Sequence, residues 1–131
     1  MSKGKVRHLR RDDVSSRDLE ERLLEYGMRI IRVVESLPKN LVGLRIGDQL
    51  LRRKTAVGAH YEESRGAESR DDFAHKLQMA LKEMRESNYW LRLLAKAGTV
   101  SPGRVAGIID ESKQLRAILS KAVATTKGRA K

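Results

Sequence analysis

Leu19, Leu23, Tyr26, Ile30, Val33 and Leu37 recur at spacings of 4, 3, 4, 3 and 4, the stripe of an amphipathic helix. Ser15 or Ser16 can cap its start, with Asp18 and Glu20 near the positive end of the helix dipole. Leu24, Met28 and Ile31 widen the apolar face, and Pro38 in "SLPKN" ends the helix because the residue before a proline avoids helical geometry. A second helix is predicted from about Leu41 to Arg65. Its core face carries Leu44, Leu51, Thr55 and Gly58, with Ile46, Leu50, Val57 and Tyr61 beside it, and Gly66 suits the position after its end. Ser69 with Asp72 forms a capping box in its Asp variant and opens a third helix running to Ala97. One seam of that helix holds Phe73, Leu77, Ala80, Met84, Leu91 and Leu94, and Trp90 and Leu93 lie on the next. Gly98 ends it. Ser101 caps a fourth helix with Pro102 at its first position, where a missing N–H costs nothing. Val105, Ile108, Ser112, Leu115, Leu119 and Ala122 give that helix its stripe.

Long helices joined by short connections pack as antiparallel neighbours. The expected fold is therefore all-α, an up-down-up-down four-helix bundle over residues 16–125, flanked by basic flexible tails at 1–15 and 126–131. Composition agrees: of 131 residues, 34% are charged and only 4% aromatic, which favours helices over sheets. Within the second helix, Thr55 to Ala59 is nearly without side-chain bulk. A glycine in a helix interior gives up about 1 kcal/mol of propensity relative to alanine. The compensating gain is a surface that another helix can approach closely. Gly58, Ala59, Tyr61, Tyr89 and Trp90 are the expected helix-packing or subunit contacts, with Trp90 or Tyr89 as the large residue against Gly58 inside one bundle.

The net charge of +11 is unevenly placed. Residues 1–17 carry +4 and residues 120–131 another +4, which leaves only +3 for the centre. Basic ends of this kind suit a polyanionic partner, most plausibly nucleic acid, and otherwise serve as solubilising termini. Arg10, Arg11, Lys127 and Arg129 in the tails are candidate nucleic-acid contacts. So are Arg52, Arg53, Lys54, Arg65, Arg70 and Lys76, on the second helix and around the turn to the third. With few aromatics to stack bases, such contacts would hold phosphate without reading sequence.

Catalytic chemistry has no foothold in these motifs. There is no cysteine, hence no disulfide or thiolate site, and a reducing cytoplasm is the expected setting. A carboxylate-bridged di-metal bundle needs two E-x-x-H motifs and two further glutamates. This chain has one D-x-x-H (Asp72, His75) and one H-x-x-E (His60, Glu63), neither with a second copy, so no metal and no other cofactor is expected. Phosphate-binding loops and nucleophile elbows are absent from the sequence. No apolar run is long enough to span a membrane. The basic start is followed by "DDVSSRDLEE", unlike a secretory signal. The expectation is a protein that is not an enzyme.

Residues 49–98 resemble the bacterial four-helix-bundle family of proteins encoded in 23S rRNA intervening sequences. The resemblance lies in Gln49, Arg52, Arg53, then Val57, Gly58, Ala59, Tyr61, Glu63, then Ser69, Arg70, Asp72, Phe73, and finally Leu81, Lys82, Glu83, Glu86, Tyr89, Trp90 and Leu91. His60 stands where the family pattern often has Asn. The resemblance implies a cytosolic antiparallel bundle that assembles as a ring of five. A related branch, the accessory variability determinant of diversity-generating retroelements, implies a basic pentamer working with a reverse transcriptase and nucleic acid. Two functions are thus open: an oligomeric protein binding rRNA or other nucleic acid through basic surfaces, or a pentameric scaffold for a protein partner such as a reverse transcriptase.

Overall fold

The computed structural model describes the backbone of residues 3–52 and 56–130, and side chains within 18–52 and 56–128. Among the described residues, five helices follow in order: α1 (Lys3–Glu35), α2 (Leu41–Arg52), α3 (Val57–Arg65), α4 (Arg70–Lys96) and α5 (Pro102–Ala130). No strand occurs among the described residues. Helices α2 and α3 together form the second rod of an antiparallel four-rod bundle, in which α4 packs most extensively against α5 and α3.

Three rods bury the stripes read from the sequence. Leu19, Leu23, Tyr26 and Ile30 of α1 and Leu37 just after it are buried, as are Leu77, Ala80, Met84, Leu91 and Leu94 of α4 and Val105, Ile108, Leu115 and Leu119 of α5. The α4 cap forms as expected, with Ser69 Oγ accepting from Asp72 N–H at 3.1 Å. Gly98 ends α4 at φ +74°, a left-handed position that favours glycine. Gly66, the other expected stop, stays at φ −94°.

Three expectations need correction. First, α1 begins at Lys3, not at the Ser15 or Ser16 cap, and α5 continues to Ala130. No proline or glycine interrupts residues 5–26, so a serine able to start a helix is simply carried through one. Second, the second rod is not one helix. It divides between Arg52 and Val57, with Ala56 at φ −92° and ψ 8°; Arg53, Lys54 and Thr55 lie outside the described residues. Poor helix formers (Thr55, Val57 and Gly58) crowd this point.

Third, Leu44 and Leu51 are exposed, and the buried face of α2 is instead Gly43, Gly47 and Leu50. The glycines are the reason. Asn40 caps α2, its Oδ1 accepting from Gly43 N–H at 2.9 Å, and this folds the start of α2 onto the end of α1. A Cβ at Gly43 would lie 1.9 Å from the Pro38 carbonyl oxygen, and one at Gly47 would lie 3.2 Å from Val34 Cγ1. Farther along, Gly58 faces Leu23 of α1, not Trp90 or Tyr89, with a Cβ position 3.4 Å from Leu23 Cβ.

These distances rank three substitutions. Gly43→Ala meets backbone that cannot yield and should cost about 1–3 kcal/mol. Gly58→Ala, at ordinary contact distance, should stay within about 0.5 kcal/mol of wild type. Gly58→Leu should cost about 1–3 kcal/mol by overpacking. Thermal melts followed by circular dichroism check the order; a Gly43→Ala protein as stable as Gly58→Ala would contradict the geometry.

Candidate nucleic-acid interface

Charge reaches one end of the bundle through topology. Arg65, at the end of α3, pairs with Glu20 near the entry of α1 into the bundle. A groove of about 370 Å³ joins the α3–α4 turn, including Arg65, Arg70 and Phe73, to Thr126 of α5. The basic N-terminal stretch of α1, the α3–α4 turn and the C-terminal stretch of α5 therefore share an end. Arg10, Arg11 and Arg129 belong to these helices, but their side chains lie outside the described residues; Lys127 is exposed on α5.

The cluster read from the second rod is less available than its sequence suggests. Arg52 donates to Asp48 at 2.9 Å, one helical turn back. Lys76 approaches Glu63 at 4.0 Å, and Arg65 is held by Glu20. Arg70 is exposed at the start of α4 and also makes an interaction. Exposed pairs of this kind contribute only about 0–1 kcal/mol each, yet they cancel charge that a polyanion would otherwise meet. Among the expected packing residues, Tyr61 is buried, Gly58 and Trp90 are half-buried, and Ala59 and Tyr89 are exposed. Tyr89 and Trp90 meet edge to face, ring centroids 5.4 Å apart.

A buried polar seam, only partly visible as Tyr26 and Ser112 in the stripes, crosses three rods. The Tyr26 hydroxyl lies 2.6 Å from Ser87 Oγ, and Ser87 donates to the Met84 carbonyl at 2.9 Å. Asn88 Nδ2 donates to Ser112 Oγ at 2.6 Å, and Ser112 donates to the Ile109 carbonyl at 2.7 Å. Arg92 Nε donates to Asn88 Oδ1 at 2.9 Å. At the rim, Arg22 forks onto Glu111 at 3.1 and 2.8 Å, which raises the Arg22 pKa. Burial pushes the Tyr26 hydroxyl up to about 12, against the opposing pull of hydrogen bonds with Ser87 and Ser112. Every bond in this seam is structural. Among the described residues, no group of three or more His, Cys, Asp or Glu side chains is placed to hold a metal ion.

An apolar stripe faces outward. Leu24, Met28 and Ile31 share one side of α1, with Leu24 68% exposed, and Leu41, Leu44 and Leu51 share one side of α2, with Leu44 61% exposed. Sequence periodicity assigns most of these residues to the core. The antiparallel register, set by Gly47 against Val34 and Gly58 against Leu23, brings Leu51 level with Ile31.

Residues 19–121 match the family model described as 23S rRNA-intervening sequence protein. A crystal structure from Bacteroides thetaiotaomicron, of a protein with unknown function from the S23 ribosomal protein family, superposes with a TM-score of 0.73 at 30% identity, covering 80% of this chain and 97% of that one. Comparison with curated proteins gives no match.

The raised Tyr26 pKa has a signed consequence. Its contribution to stability is complete below pH 10, the ordinary phenol value, and is lost as pH rises toward about 12. Urea denaturation should show wild type weakening over that interval, and Tyr26→Phe should weaken less steeply there. At pH 7 the same variant should lose about 1 kcal/mol. A spectrophotometric titration should find a phenol ionising near pH 12 that Tyr26→Phe lacks; identical titrations would contradict the buried placement.

Proposed function

Because the chain belongs to the 23S rRNA-intervening sequence protein family, we propose that it is a self-associating, non-enzymatic bundle protein of the cytoplasm that binds nucleic acid, rRNA foremost, through basic surfaces. The observation carrying this reading is the distribution of charge: +8 of the net +11 falls in residues 1–17 and 120–131, and Glu20 of α1 and Thr126 of α5 both lie beside the α3–α4 turn at one end of the bundle. Such an end attracts phosphate by counterion release, with little preference among sequences.

Self-association is supported by the outward apolar stripe, and the family resemblance implies a ring of five. The protomer exposes 8642 Å², against roughly 7,000 Å² for a compact monomer of its mass. Leu24, Met28, Ile31, Leu41 and Leu44 are among its exposed large apolar side chains. A closed ring would gather the basic ends on one face and let each bound contact raise the effective concentration of the others. The same stripe favours the second reading, a scaffold engaging a protein partner such as a reverse transcriptase.

Light scattering at micromolar concentration should report several times 14.8 kDa, and Met28→Glu with Ile31→Glu should shift the mass toward one protomer. Fluorescently labelled RNA should bind at about 50 mM salt and lose tenfold or more in affinity by about 200 mM. Removing residues 1–15 and 126–131 should abolish most of that binding. A wild-type protein that binds neither RNA nor DNA at low salt would leave the scaffold reading in its place.

A further inference from the structure

Among the described residues, Arg52, Arg65 and Lys76 are paired with acids, whereas a second set of cations lies elsewhere. Arg29 and Arg32 follow one another along one side of α1, Ser36 lies just past its end, and Arg104 stands in the first turn of α5, which carries no acid. Together they rim a groove of about 260 Å³ between the two helices, floored by Val105 and Ile108. Gly107 helps to form it: a Cβ there would lie 3.0 Å from Arg29 Nη2, so the bare α5 backbone seats the guanidinium. None of the three arginines makes a hydrogen bond or ion pair with another described residue. Two turns earlier on α1, Arg22 shows what a satisfied arginine between the same helices looks like, forked onto Glu111.

We propose that this α1–α5 groove holds the phosphodiester backbone of a bound nucleic acid. This rests on the nucleic-acid reading above and gives it a site within the folded bundle, apart from the chain ends. Three arginines line this one groove of about 260 Å³, and each guanidinium offers planar paired donors suited to phosphate oxygens. The first-turn N–H groups of α5 add the positive end of a helix dipole on the same side. Ser36 Oγ already donates to the Val33 carbonyl at 2.6 Å, which leaves its oxygen to accept and the arginines to recognise the anion. The groove lies roughly a third of a turn around α1 from Leu24, Met28 and Ile31, so self-association through that stripe leaves it open.

The test compares full-length wild type with R29Q/R32Q/R104Q and R29K/R32K/R104K, using a labelled 20-nucleotide single-stranded RNA across a salt series. The glutamine variant should bind tenfold or more weakly at about 50 mM salt, and the slope of log affinity against log salt should fall by about 2 for three lost contacts. The lysine variant should keep the slope and lose less affinity. If the triple glutamine variant does not fold, R104Q, at an exposed first-turn position, should still lose affinity and lower the slope by about 0.7. Wild-type binding with an unchanged slope in the glutamine variant would overturn the groove and leave the chain ends as the interface. No binding by wild type would overturn the nucleic-acid reading, and the groove with it.

Discussion

Tyr26 and Asn88 tie three helices to one another at fixed heights. A bundle built mostly from leucine and alanine can slide by a turn at little cost, because one apolar contact replaces another. A buried hydroxyl or amide cannot slide, since a lost partner costs about 1–3 kcal/mol in desolvation without compensation. The Tyr26–Ser87 and Asn88–Ser112 bonds therefore set α1, α4 and α5 in register, as a polar residue at a core position does in a coiled coil. That register aligns Arg22 with Glu111 and brings Arg29 over Gly107.

The fourth side is closed by a different means. Helices α2 and α3 approach α1 through Gly43, Gly47 and Gly58, where backbone meets side chain with no intervening bulk. Close approach at the glycines turns Leu41, Leu44 and Leu51 outward, beside Leu24, Met28 and Ile31. The same contacts that complete the bundle thus create its apolar exterior. Charge divides accordingly, into paired cations near the α3–α4 turn and unpaired ones between α1 and α5.

Helices α1, α4 and α5 were legible because each buries the main stripe of its periodicity, although Leu24, Met28 and Ile31, which widen that face on α1, point outward. The second rod has two competing stripes, and periodicity alone favours the leucines over the glycines. The choice depends on α1, through Pro38 and Val34, which no local pattern encodes. Helix starts were legible where a cap coincides with a preceding break, as at Ser69, and not at Ser15 or Ser16, where helix-forming sequence lies on both sides. Among the candidate contacts, sequence revealed which residues are cationic but not which are neutralised. Arg52 has its acid one turn away, yet Arg65 finds Glu20 only through the fold. Arg29, Arg32 and Arg104 are scattered in sequence and meet only across α1 and α5.

The proposed arrangement puts nucleic acid on the basic end and the α1–α5 arginine face and leaves the apolar stripe to assembly. Ultraviolet cross-linking of the full-length protein to RNA at about 50 mM salt, with cross-linked peptides mapped by mass spectrometry, tests it most directly. Cross-links are expected in peptides from the two chain ends, in the stretch containing Arg29 to Ser36 and in the first turn of α5, with none centred on Leu41 to Leu44. Cross-links confined to the outer face of α2, or absent altogether, would contradict it.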